Sequence, residues 1–96
     1  MLAQQIDSKY AIGSALWRLS EVTQIDGDLA STVRLYWAAK NIWDSVGTLT
    51  EDAEIDFENT MTFCRAELGD SAFDKAVQIS RSLTIEQAIE YALQME

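Results

Sequence analysis

Apolar residues recur along this chain at spacings of three and four, in five segments separated by short polar or glycine-bearing turns. Such spacing puts side chains on one face of an α-helix. The first segment predicts a helix from about Asp7 to Gln24, with Ile12, Ala15, Leu16, Leu19, Val22 and Thr23 sharing a face. Ile25-Asp26-Gly27-Asp28 then turns the chain, and Asp28 is placed to cap a second helix from Leu29 to Ser45. Leu29, Val33, Tyr36, Ala39, Ile42, Trp43 and Val46 spread over about half the circumference of that helix, at ~100° per residue. So wide an apolar arc predicts a helix covered on more than one side.

Gly47 closes the second segment, and Thr50 is the expected cap of a third helix, Glu51 to Leu68. Its stripe is narrow: Phe57, Met61, Cys64 and Leu68. Acidic residues crowd its start, where the positive end of the helix dipole favours them. Gly69 stops it. Asp70 or Ser71 is then expected to cap a fourth helix, reaching Arg81 and burying Phe73, Ala76, Val77 and Ser80. Thr84 and Gln87 form a capping-box pattern ahead of Ile85, Ala88, Ile89, Ala92 and Leu93. Gly27, Gly47 and Gly69 fall where helix C-terminal caps belong, whereas Gly13 interrupts a periodic segment. No strand pattern competes. The expected fold is all-α, a single domain over 1–96, with about five helices in antiparallel hairpins that form an array or a compact bundle.

Composition narrows the chemistry. The chain has 96 residues, no His, no Pro and one Cys. An intrachain disulfide and a multi-Cys metal site are therefore excluded, and the commonest general base is absent. Sixteen acidic against seven basic residues give a net charge of −9, and the basic ones are scattered singly. Direct binding of nucleic acid or of an anionic membrane surface is not expected from such a balance. No apolar run is long enough to cross a bilayer, and Met1 to Asp7 lacks the pattern of a secretory signal, so a cytoplasmic location is expected.

Three candidate chemistries fail on spacing. Asp26-Gly27-Asp28 is not a calcium loop, because the outer ligand positions are Val22 and Val33. Cys64 lies on an apolar stripe with no His to activate it, which predicts a buried, inert thiol. No glycine-rich phosphate loop exists. The chain is expected to be no enzyme and to hold no cofactor or metal.

Two stretches carry a resemblance. Leu16-Trp17-Arg18-Leu19-Ser20, Gly27-Asp28 and Val33-Arg34-Leu35-Tyr36-Trp37-Ala38-Ala39 resemble a tetratricopeptide-type helix pair over about residues 7–46, followed by C-terminal helices over about 50–95. Ala66-Glu67-Leu68-Gly69-Asp70-Ser71-Ala72-Phe73 and Arg81-Ser82-Leu83-Thr84-Ile85-Glu86-Gln87-Ala88 are similar to the closing segment of the helical-repeat region in large bacterial regulators of the LuxR-type and related ATPase-linked classes. The resemblance covers about residues 12–93. It implies a cytoplasmic helical scaffold for protein contacts in transcription regulation, with DNA and nucleotide binding left to other domains. Trp37 and Ser80 depart from it, standing where that family usually has a small residue or Gly.

The aromatic residues supply the candidate site. Tyr10, Gly13 and Trp17 form a second stripe on the first helix, and Trp37 projects on the polar side of the second with Arg34, Lys40, Asn41 and Asp44. Trp and Tyr are enriched at protein interfaces, and a glycine permits close helix approach. In the resembled regulators, earlier repeats would cover the first helix. The expectation is therefore a protein-protein interaction or regulatory module that self-associates as a homodimer, with Tyr10, Gly13, Trp17 and Trp37 at or near the interface. The alternative is a small acidic inhibitor of a basic protein, or a mimic of nucleic acid.

Overall fold

The structure is a computed structural model that describes the backbone of residues 3–94, with side chains described for 8–94 apart from positions 85 and 92. Five helices follow in order: α1 (Ala3–Asp26), α2 (Leu29–Ser45), α3 (Glu51–Leu68), α4 (Asp70–Ser82) and α5 (Ile85–Gln94). The expected starts of α2 and α3 hold, and each is capped as the sequence implies. The Asp28 carboxylate accepts from Ser31 N at 3.3 Å, and Thr50 Oγ1 accepts from Ala53 N at 3.1 Å. At α5 the capping box closes in both directions: Gln87 N donates to Thr84 Oγ1 at 3.1 Å, and Thr84 N to Gln87 Oε1 at 2.9 Å.

The α3–α4 junction differs from expectation. Neither Asp70 nor Ser71 caps α4, because a single residue, Gly69, separates the helices and serves both. Its φ of 85° reverses the chain where a side chain would be strained, and it offers no capping oxygen. Asp70 instead takes the first-turn position favoured by the α4 dipole and accepts a hydrogen bond from Arg65 Nε at 2.8 Å.

α2 is the hub. It packs against α1, α3, α4 and α5, which is why its apolar arc is so wide. Two cores meet on it. Val33, Tyr36 and Trp43 join Phe57, Met61 and Cys64 of α3 and Phe73, Ala76 and Val77 of α4. On its other side Leu35, Ala38, Ala39 and Ile42 join Leu16 of α1 and Ala88 of α5. Cys64 is fully buried, as its stripe implies, and burial raises its thiol pKa. α5 folds back onto both α1 and α2. A linear array would keep each hairpin against its neighbours alone. Of the two expected architectures, the chain adopts the compact bundle.

The packed face of α1 is rotated from the one its apolar pattern implies. Ala15 and Val22 are exposed, while Gly13, Leu16, Ser20 and Thr23 are buried at spacings of three, four and three. Two features favour the small, hydroxyl-bearing face. Gly13 makes room for the Trp43 indole, and the Thr23 and Thr32 hydroxyls meet at 2.8 Å across the α1–α2 interface, which satisfies both in the interior. On α5, Ala88 is buried and Ile89 half-buried as expected, but Leu93 is exposed. The expected burial of the Ile85 and Ala92 side chains lies outside the described residues.

Candidate functional site

α1 and α3 flank α2 on one side of the bundle without packing on each other. Between them runs a furrow. Tyr10, Ser14, Trp17, Glu21 and Ile25 follow one another along the α1 lip at helical spacing. The α3 lip carries Asp52, Asp56 and Phe63. Tyr36 and Trp43 of α2 form the floor. The furrow holds two hollows, one of about 270 Å³ at the Tyr10–Asp56 end and one of about 330 Å³ at the Ile25–Phe63 end.

Its floor is rigid. The Trp43 ring lies 6.3 Å from Tyr10 and 6.4 Å from Trp17 between ring centres, and its indole Nε1 donates to Tyr10 O at 3.4 Å. The Tyr36 ring meets Phe57 edge-on at 5.2 Å, and the Tyr36 hydroxyl donates to Asp56 Oδ2 at 2.5 Å. Burial, then that hydrogen bond and the negative charge of Asp56, hold the hydroxyl protonated well above the ordinary tyrosine range. The bond orients the Asp56 carboxylate at the lip. Three carboxylates, Glu21, Asp52 and Asp56, line the two hollows together with no lysine or arginine. The furrow thus joins apolar and aromatic surface to negative charge.

The structure treats the four candidate residues differently. Tyr10 and Trp17 belong to this furrow, Tyr10 half-exposed and Trp17 packed against the core below it. Gly13 does not face outward: a Cβ there would lie 2.5 Å from Trp43 Nε1, so the close approach it permits is to α2 of the same chain. Trp37 is half-buried rather than projecting from a polar face. Its ring meets Phe57 edge-on at 5.1 Å, while Lys40 Nζ lies 5.2 Å and the Arg81 guanidinium 5.5 Å from the ring centre. Phe57 and the two cations draw it into the α2–α3–α4 side.

Tyr36, Asp56, Ile25 and Phe63 were not among the candidates from sequence. Phe63 lies off the Phe57–Met61–Cys64–Leu68 stripe, and Ile25 lies beyond the expected end of the first helix; an exposed large apolar residue in either place was the available signal. Tyr36 and Asp56 become one unit only when α2 and α3 pack. A smaller hollow of about 140 Å³ lies between α2 and the α4–α5 turn, lined by Ala38, Ser80 and Ala88 among others and by no charged side chain. Ser80 Oγ there donates to Ala76 O at 3.1 Å within its own helix.

Among the described residues, no three His, Cys, Asp or Glu side chains gather as metal ligands would, and no helix is long and apolar enough to cross a membrane. No family model matches the chain, and neither a curated protein nor a solved structure matches it.

Proposed function

We propose that this chain is a protein-interaction module with no catalytic chemistry of its own, and that its working surface is the α1–α3 furrow. One observation carries the reading: α1 and α3 stand as two lips over a buried aromatic floor, and the lips themselves keep Tyr10, Ile25 and Phe63 exposed. Large apolar surface kept at the outside of a small domain marks a contact site. The resemblance to LuxR-type regulators supports the same reading, with a regulatory role in a bacterial cytoplasm.

The furrow favours a different protein over a second copy as occupant. Gly13 and Trp37 are engaged within the chain. A two-fold dimer through the furrow would set Glu21, Asp52 and Asp56 against the same three residues. The alternative reading, an acidic inhibitor or nucleic-acid mimic, has the net charge of −9 in its favour.

Affinity capture from cell lysate tests the proposal. Ile25→Ser with Phe63→Ser alters the exposed lips, and Leu93→Ser alters another exposed apolar residue elsewhere. A protein held by the wild type and by Leu93→Ser, but lost from the furrow variant, supports the reading. Captured proteins indifferent to the furrow variant reject it.

A further inference from the structure

We infer that the furrow takes a basic amphipathic helix of another protein, with its cation between Asp52 and Asp56 and its apolar residue against Ile25 and Phe63. This rests on the furrow being the working surface.

The first argument concerns backbone hydrogen bonds. An extended peptide adds to a protein by pairing with an open strand edge. The described residues contain helices and no strand, so the furrow walls present side chains rather than free backbone groups. An occupant lying there must satisfy its own N–H and C=O groups, which a helix does. Length agrees. Tyr10 to Ile25 spans ~22 Å of α1 at ~1.5 Å per residue, which accommodates about four turns of a second helix.

The second argument concerns the order of chemistry along the furrow. Carboxylates and aromatic rings share one end, with Asp52, Asp56, Tyr10 and Trp17. Ile25 and Phe63 hold the other end beside Glu21. Asp56 and Phe63 are seven positions apart on α3, ~10 Å along the axis and about two turns. A complementary helix therefore carries a basic residue and a bulky apolar residue about seven positions apart on one face. Arginine suits the acidic end better than lysine, because a planar guanidinium both pairs with carboxylates and stacks on aromatic rings. Tyr36 occupies Asp56 Oδ2 and leaves Oδ1 for such a pair.

The third argument is the sign. The carboxylates of the furrow stand without a basic residue lining it, and the whole chain carries −9. An acidic or neutral apolar helix would meet repulsion or uncompensated desolvation at Asp52 and Asp56, whereas a basic one offsets it.

Synthetic helical peptides of about four turns test this by fluorescence anisotropy against the full chain. One peptide pairs Leu and Arg at the spacing above, a second replaces each Arg by Glu, and a third replaces each Leu by Ser. Both the basic and the apolar element are needed, so the first peptide should bind at least ~10-fold more tightly than either of the others. Asp52→Asn, alone and combined with Asp56→Asn, should weaken the Leu/Arg peptide, with the double variant at least ~10-fold weaker and less sensitive to salt. Glu67→Gln with Glu90→Gln removes two exposed charges outside the furrow and should change little. Equal loss in that control would mean general attraction to an acidic protein and would overturn the inference. So would equal binding of the Glu peptide, or full binding by the neutralised furrow. If none of the peptides binds while capture from lysate still depends on Ile25 and Phe63, the partner chemistry is wrong and the interaction module stands. Capture that ignores those residues rejects the module itself.

Discussion

Gly13 and Trp43 show how one missing methyl group sets a helix pair. The Trp43 indole occupies the space a Cβ at position 13 would need, with Nε1 at 2.5 Å and Cδ1 at 2.8 Å from it. Tyr10 and Trp17 flank that indole, so it has little freedom to retreat. Alanine favours a helix over glycine by up to ~1 kcal/mol, but overpacking a filled site costs ~1–3 kcal/mol. Gly13→Ala should therefore lower stability, read as an earlier urea midpoint. A later midpoint would mean that the indole can move aside freely. Tyr36 supplies a second expectation. Its hydroxyl loses its proton less readily in the folded chain than in the unfolded one. The sign follows from linkage: the raised value favours the protonated native form, so its contribution is complete below the ordinary tyrosine value of ~10 and fades as pH rises beyond it. Tyr36→Phe removes that titration. Urea midpoints followed from neutral pH into alkali should fall less steeply for Tyr36→Phe than for the wild type.

At the scale of elements, α5 is the short helix whose hold on the bundle is most easily varied. Its start is fixed by the reciprocal Thr84–Gln87 bonds. Its contacts are buried Ala88 against α1 and α2, and Tyr91, whose hydroxyl lies 2.8 Å from Ser31 Oγ and accepts from Arg34 Nη1 at 3.3 Å. Thr84→Ala removes the acceptor of the first-turn N–H and should cost ~1 kcal/mol. Hydrogen exchange provides the readout: amides of α5 should exchange faster in the variant, with those of α2 unchanged relative to global stability. Equal acceleration everywhere would mean that α5 opens only with the whole domain. The α3–α4 hinge is the contrasting case. Gly69 turns the chain with one residue at φ 85°, so the helix pair is joined tightly and without a side-chain cap.

For the whole molecule, a central helix touched by four others explains both the single bundle and the open furrow. α2 has four faces to cover, and α1 and α3 lie on it far enough apart to leave hollows between them, above its buried Tyr36 and Trp43. The acidic lips make the free chain a poor match for its own copy. Light scattering at micromolar concentration is therefore expected to give the monomer mass. A dimer split by Tyr10→Glu would assign the furrow to a second copy, as the aromatic stripe on the first helix first implied. Burial keeps the Cys64 thiol from reagents, so native labelling should be limited by unfolding.

Sequence alone determined what depends on neighbours in the chain. Helical spacing, glycine punctuation and the hydroxyls and carboxylates at Asp28, Thr50 and Thr84 act within a few residues, and the starts of α2, α3 and α5 follow from them. The Phe57–Met61–Cys64 stripe and the wide arc of α2 were legible for the same reason. Tertiary packing decided the rest. Which face of α1 turns inward depended on a tryptophan thirty residues away filling the space above Gly13. Trp37 looked exposed from its own helix until Phe57 and Arg81 arrived from α3 and α4. Of the candidate site, Tyr10 and Trp17 were legible as aromatic residues beside the main apolar face, but the furrow was not. A furrow is the gap between helices that do not touch, and its chemistry comes from side chains that only the packed bundle brings together.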